Sequence, residues 1–346
     1  MSDAWKFIFG AIVVMLLVVA TIGAQFKQFL STPVDVHTSA EGFEISSGMS
    51  FHQVSAKLNS RGIISNPAFF RLYARISGDA ELIQACEYLI ESGLTPVNLI
   101  DKFVSGDVRL YSFTAVEGWT FRNFLKRLTN HTAIDPSVDY SGVPALLEWL
   151  GTIEAHPEGL FFPETYHFPK GTSDKDILKK AYKLMADILS AEWDQRANGL
   201  PLRTPYEALI LASIIEKETA LAKERPEIAG VFLRRLQAGM RLQTDPTVIY
   251  GIGESFDGNL TRTHLQTDTP YNTYTRRGLP PTPIALPGRA SIRAALRPAI
   301  GTALYFVATG LGDGSHKFSD TKEEHDRAVQ EFLMRRRLET KRLEQQ

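Results

Sequence analysis

One cysteine, Cys86, stands among 346 residues. No intramolecular disulfide can staple this chain, and its stability must come from packing. An excess of either charge is also missing: 38 Lys and Arg stand against 39 Asp and Glu, a net of −1. That removes the electrostatic footprint of a nucleic-acid partner. There is no His-Glu-x-x-His, no Cys-x-x-Cys and no Gly-x-x-x-x-Gly-Lys-Ser/Thr, so zinc-peptidase and nucleotide-hydrolase chemistry lack their parts. A Gly-x-Ser-x-Gly elbow is absent as well, which leaves an esterase unsupported. His316 and His325 are too isolated to read as metal ligands, and the chain carries no internal repeats.

What is present begins at the N-terminus. Phe7 to Phe26 is an uncharged run of twenty residues between Lys6 and Lys27, long enough as a helix to cross the hydrocarbon core of a bilayer. Trp5 and Lys6 suit a cytoplasmic interface. A cleaved signal peptide is the rival reading, since Gly23-Ala24 offers small residues, but Ile22 at the −3 position argues against it. The expectation is an uncleaved single-pass anchor over 7–26, preceded by a short cytoplasmic end at 1–6, with the rest of the protein outside the cytoplasm.

A linker at 27–40 is expected to lead into a compact unit from Glu41 to about residue 107. In it, Phe43-Glu44-Ile45 alternates as a strand and Gly48-Met49-Ser50 turns into a helix carrying Val54 and Leu58. Asn66-Pro67 caps a second helix; Glu87-Tyr88-Leu89-Ile90 reads as a strand, followed by a helix through Val97, Ile100 and Phe103. That order suggests a small binding module. From 108 to 340 a larger α+β domain is expected. Its Pro157–Tyr166 segment is aromatic and punctuated by proline, which fits a carbohydrate groove or simply a packed loop. Leu304–Ala308 and His316–Phe318 read as strands about a glycine-rich turn, and the C-terminal Arg335–Gln346 as a charged helix end.

The segment richest in chemistry is Leu209–Thr219, an apolar helix ending in two carboxylates. Ile215, Ile214 and Leu211 lie at i−3, i−4 and i−7 from Glu218, so this side chain caps an aliphatic stripe. A carboxyl held against such side chains is poorly solvated as an anion, and its pKa rises toward the range of a general acid. Glu216 looks back on Ser213, Ala212 and Leu209, a less oily face, which makes Glu218 the better acid candidate. The plainer alternative is that both glutamates sit in the exposed last turn of a core helix. Downstream, Gln243, Asp245, Tyr250, Tyr271, Asn272, Thr273 and Tyr274 supply amides, hydroxyls and phenols suited to orienting sugar hydroxyls and N-acetyl groups. Ordinary glycosidases need two carboxylates. Asp245 is a candidate second one, although Asp245-Pro246 in a strand-to-turn position is also a common turn element.

Several phrases occur together and in order: Ala212–Glu218, Arg241–Gly251, Tyr271–Tyr274, Gly278-Leu279-Pro280-Pro281, the Glu158-Gly159…Pro163–Tyr166 loop and His316-x-Phe318. In these the chain resembles the endolytic murein transglycosylase family, also called YceG-like, over nearly everything after the anchor. The resemblance implies an anchored periplasmic enzyme of the inner membrane, with a LysM-like βααβ module and a lysozyme-like transglycosylase catalytic domain. It implies Glu218 as the catalytic residue, which agrees with the solvation argument. The implied reaction cleaves the β-1,4 bond between N-acetylmuramic acid and N-acetylglucosamine of nascent peptidoglycan strands, leaves 1,6-anhydro ends and ends strand elongation. Glu218 would act as acid and then as base, so Asp245 need not be catalytic. Gln243, Asp245, Tyr250, Tyr271, Asn272, Thr273 and Tyr274 are then expected on the substrate, with Glu216 in a supporting role beside them. The implied partners are peptidoglycan strands and the penicillin-binding synthases that make them; no metal or organic cofactor is implied. One departure is Cys86, where the family often carries glycine; cysteine disfavours a positive φ there, so the turn of the module is expected to differ in detail.

Two other readings compete. A non-catalytic glycan-binding scaffold would not need Glu218. A soluble lyase acting on a small pterin precursor is opposed by the anchor.

Overall fold

A computed structural model describes residues 3–34, 42–137 and 143–343; the first two residues, 35–40 of the expected linker, Glu41, 138–142 and the last three residues lie outside them. The chain divides into two compact units: 1–112 with 167–171, and 113–166 with 172–346.

In the first unit, α1 (Asp3–Ser31) carries the apolar run and continues past it. Residues Trp5–Ser31 are long and apolar enough to cross a membrane. Then follow β1 (Phe43–Glu44), α2 (Phe51–Ser60), α3 (Pro67–Ser77), β2 (Glu87–Tyr88) and α4 (Pro96–Ser105). Local chemistry sets these boundaries: Ser50 and Gln53 form a capping box on α2, and Asn66 caps α3 with proline at its start. β1 and β2 pair antiparallel, Phe43 opposite Tyr88, and close a core of Phe43, Leu58, Phe70, Tyr88, Leu99 and Phe103. The Ile45 N–H donates to the Cys86 carbonyl at 2.8 Å. Cys86 is not among the positive-φ residues, so the turn at this departure is made without the conformation a glycine would allow. The expected linker begins as helix: Phe29 is buried in this core, and the Val34 N–H donates to the Leu94 carbonyl at 2.7 Å.

β3 (Leu110–Thr114) leads into the second unit, with α5 (Phe121–Thr129), β4 (Ile134–Asp135), α6 (Val143–Leu150), β5 (Thr165–Pro169), β6 (Thr172–Ser173), α7 (Asp174–Asp194) and α8 (Pro205–Glu218). After α8 come α9 (Arg225–Gln237), α10 (Asp245–Ile252), α11 (Arg262–Gln266), α12 (Arg289–Leu296), β7 (Tyr305–Ala308), β8 (His316–Ser319) and α13 (Lys322–Leu343). β3 pairs with β5, β4 with β6 in parallel, and β7 with β8 as an antiparallel hairpin. α8 is the axis of this unit: it packs against α7, α9, α10 and α12, and every residue from Ala208 to Ile215 is buried. A helix apolar all round is a core helix.

One expectation changes here, and one open alternative is selected. Asp245-Pro246 opens helix α10 and is not a turn; proline fits a first helical turn because no N–H is needed there, and an acidic residue suits the positive helix end. The Pro157–Tyr166 segment is mainly packing: Leu160, Phe161, Phe162 and Tyr166 are buried, with Phe161 stacked on Phe121 at 4.9 Å between ring centroids. Gly159 is required in that loop. Its φ is +81°, and a Cβ would come within 2.5 Å of Pro283.

Candidate active site

Glu218 is the last residue of α8. The cap residue after it, Thr219, is extended, so the chain turns away and leaves the carboxyl at the helix mouth. Glu218 keeps a partly open surface, while the protein packed round its carboxyl desolvates the anion. That burial pushes its pKa up to about 7; the neighbouring Asp245 charge adds to the rise, and Thr244, His316 and Arg235 oppose it. Thr244 donates its hydroxyl to Glu218 Oε1.

The Thr244 side is held by a lattice of hydroxyls. The Thr244 N–H donates to Thr273 Oγ1 at 3.0 Å, the Thr247 and Thr273 hydroxyls lie 2.9 Å apart, and the Gln243 N–H donates to the Thr273 carbonyl at 3.2 Å. Gln243 has φ +53°, the one non-glycine positive φ among the described residues. Backbone strain of this kind, at a residue that leads into Thr244, is held by its surroundings and clusters at functional sites. Asp245 accepts the Tyr274 phenol at 2.5 Å. Burial, and then the Asp245 carboxylate, raise the Tyr274 pKa and keep the phenol protonated.

The structure thus gathers Gln243, Asp245 and Tyr274 near Glu218 through Thr244. It places other expected residues differently. The Glu216 side chain is turned inward and only 5% exposed: its Oε1 accepts from Arg225 at 2.9 Å and its Oε2 from the Gly288 N–H at 2.9 Å. Asn272 is buried with its amide donating to the carbonyls of His264, Leu265 and Thr267 and its Oδ1 accepting from the Tyr274 N–H at 2.8 Å. Thr273 is buried in the hydroxyl lattice. These three spend their polar atoms inside the protein, where they shape the loop and the helix end.

Tyr250 and Tyr271 meet edge to face at 4.9 Å and line a cavity of about 860 Å³ with Phe121, Leu125, Ile284, Glu158 and Lys217. Glu218 is not in its wall; Lys217, its neighbour in the chain, is. Glu158 is a further buried carboxyl, one that the sequence marks only as part of the Glu158-Gly159 phrase and gives no role. Its Oε1 accepts from the Phe121 N–H at 2.8 Å, and Tyr250 donates to its Oε2 at 3.1 Å. Burial pushes its pKa up to about 7, against the pull of these hydrogen bonds. His316 has the hydrogen-bonded structural setting that its isolation suggests: Nδ1 lies 2.8 Å from Glu224 Oε2.

Chemically, the Glu218 end of the site offers a desolvated carboxyl that holds a proton near neutrality, a hydroxyl ready to support its anion, and the Asp245 carboxylate already engaged by a phenol; Glu158, in the cavity wall, is desolvated in the same way and engaged by Tyr250.

The sequence profile of the YceG-like family matches residues 43–331. An endolytic murein transglycosylase of Bacillus subtilis is 30% identical over 308 residues, covering 84% of each chain. One of Streptococcus pneumoniae is 26% identical over 331 residues; this covers 84% of the present chain but 58% of the relative. The crystal structure of a yceG-like protein from Listeria monocytogenes superposes with a TM-score of 0.52 at 30% identity, over 83% of this chain and 98% of that one. The chain belongs to the YceG-like family.

Proposed function

We propose that this protein is an endolytic murein transglycosylase. It cleaves the β-1,4 bond between N-acetylmuramic acid and N-acetylglucosamine within nascent glycan strands and ends their elongation. The observation that carries the reading is Glu218, a desolvated carboxyl at a helix end, pushed up to about 7 and hydrogen-bonded by Thr244. Protonated, it gives its proton to the glycosidic oxygen as the C1–O bond breaks. The carboxylate so formed is stabilised by the Thr244 hydroxyl and then removes the proton from the muramoyl C6 hydroxyl. That oxygen attacks C1 and closes a 1,6-anhydro ring, which returns the proton to Glu218 with no water consumed. A nucleophile tethered in the substrate has a high effective concentration, which favours it over water. The absence of a need for a water-activating base agrees with Asp245 being occupied by Tyr274.

Gln243, Asp245, Tyr274 and the Tyr250–Tyr271 pair contact the glycan, while Glu216, Asn272 and Thr273 hold the surfaces that do so. The larger unit is a lysozyme-like transglycosylase domain. The smaller is a LysM-like glycan-binding module, a reading supported by its strand–helix–helix–strand order. α1 is a single-pass inner-membrane anchor with the units on the periplasmic side, where synthases of the penicillin-binding class supply the strands. Full-length protein in detergent, incubated with purified glycan strands, is expected to release 1,6-anhydro-muramoyl ends. Loss of these ends in Glu218→Gln supports the reading; unchanged cleavage by that variant overturns the role of Glu218, and no cleavage by the native chain favours a scaffold.

A further inference from the structure

The apolar face of α3 extends past what the first unit covers. Phe70 and Ala74 point into the core. Phe69, Leu72 and Ile76 share a second stripe at i, i+3 and i+7. Phe69 at its start packs edge-on to Phe26 of α1 at 5.5 Å and against Phe29 at 5.9 Å between ring centroids. Leu72 and Ile76 are 45% and 70% exposed, and Leu82, in the turn that α3 leads into, is 58% exposed.

The place of contact on α1 gives this patch its meaning. Phe26 is the last residue of the uncharged run and Lys27 follows it. α1 stays helical through Ser31 and buries Phe29 in the core of the unit, so no slack separates the run from the unit. A twenty-residue run spans about 30 Å of hydrocarbon, which puts Phe26 at its edge. Whatever touches Phe26 sits at the height where acyl chains meet headgroups. Cations stand where an interfacial helix wants them: Lys27 is exposed next to Phe26, and exposed Arg75 borders Leu72 on α3. Such side chains lay their stems along apolar surface and put their charge among phosphates. Arg71, by contrast, is turned inward to donate to Ser55 Oγ at 3.0 Å.

We propose that the Leu72–Ile76–Leu82 patch is a second membrane contact. It lies in the headgroup region of the bilayer that α1 crosses and fixes the orientation of the small unit at that surface. The proposal rests on α1 being a membrane anchor, and the test separates the two. The lone cysteine makes site-directed spin labelling direct: Cys86→Ala supplies the background for Leu16→Cys in α1, Leu72→Cys and Ile76→Cys in α3, and Asn59→Cys on exposed α2. Full-length protein is reconstituted into vesicles of phosphatidylethanolamine and phosphatidylglycerol, and label collisions with oxygen and with a water-soluble nickel chelate are compared. Labels at 16, 72 and 76 are expected to favour oxygen, and the label at 59 to favour nickel. Nickel preference at 72 and 76 with oxygen preference at 16 overturns the membrane contact and leaves the anchor standing. Nickel preference at 16 overturns the anchor and with it the contact. Shielding of 72 and 76 from both reagents means that protein, such as a second copy, covers the patch, which also overturns the proposal.

Discussion

Thr244 and Glu218, 26 residues apart in the chain, meet through one hydroxyl–carboxylate hydrogen bond, and the residue after Thr244 brings a negative charge to the same carboxyl. The two neighbours act in opposite directions: the Thr244 hydroxyl stabilises the Glu218 anion and the Asp245 carboxylate destabilises it. A proton donor that must next become a base is tuned between these effects.

The pH profile tests that tuning. Glu218 donates only when protonated, so kcat/KM is full below its pKa and falls as pH rises through about 7. Thr244→Val removes a group that lowers the pKa and is expected to move the falling limb to higher pH. Asp245→Asn removes a group that raises it and is expected to move the limb to lower pH. Shifts in the same direction in both variants would contradict the assignment.

Stability should vary with the same group. Glu218 binds its proton more tightly folded, at about 7, than at its ordinary value of 4.5. The contribution is therefore fully present below 4.5 and is lost as pH climbs through about 7. Glu218→Gln removes the desolvated anion and is expected to stabilise the protein at pH 8 by roughly 1–3 kcal/mol, with little effect at pH 4.5. Thermal unfolding at the two pH values checks this; equal effects at both would contradict it.

The two glutamates of α8 should separate cleanly. Glu216→Ala leaves the buried Arg225 guanidinium without its 2.9 Å partner and is expected to cost about 3 kcal/mol in chemical denaturation. Glu117, at 3.7 Å from Arg225, offsets part of that loss. Glu218→Ala should not destabilise at neutral pH, yet should abolish cleavage.

Glu158 is expected to position the aromatic wall. Glu158→Ala leaves the Phe121 N–H and the Tyr250 hydroxyl without their acceptor, costing about 1–3 kcal/mol for each buried group, and should raise KM. Glu158→Gln retains an oxygen for the Phe121 N–H and an amide that donates to the Tyr250 oxygen once that hydroxyl rotates, so its Tm and KM should stay closer to native than those of Glu158→Ala. A Glu158→Gln variant as impaired as Glu158→Ala would show that the carboxyl proton itself is used.

Local patterns made much of this legible. Capping residues and apolar spacing mark α2, α3 and α8, and the i−3, i−4, i−7 stripe separates Glu218 from Glu216. The rest depends on contacts distant in sequence. The Arg225 and Gly288 partners that bury Glu216, the carbonyls that consume the Asn272 amide, and the Thr244 hydroxyl on Glu218 have no signature in spacing. Phe29 reads as linker because only α3 and the core it joins give it a reason to be helical. Asp245-Pro246 fits either a turn or a helix start, and the packing of α10 against α8 selects the helix.

The central claim is that one carboxyl serves twice and that the substrate's own hydroxyl replaces water. Mass spectrometry of glycan products formed in H₂¹⁸O tests it directly. The account predicts new 1,6-anhydro ends carrying no ¹⁸O, and cleavage reduced at least about 100-fold in Glu218→Gln. Reducing ends labelled with ¹⁸O, or anhydro ends still formed at the native rate by Glu218→Gln, would contradict it.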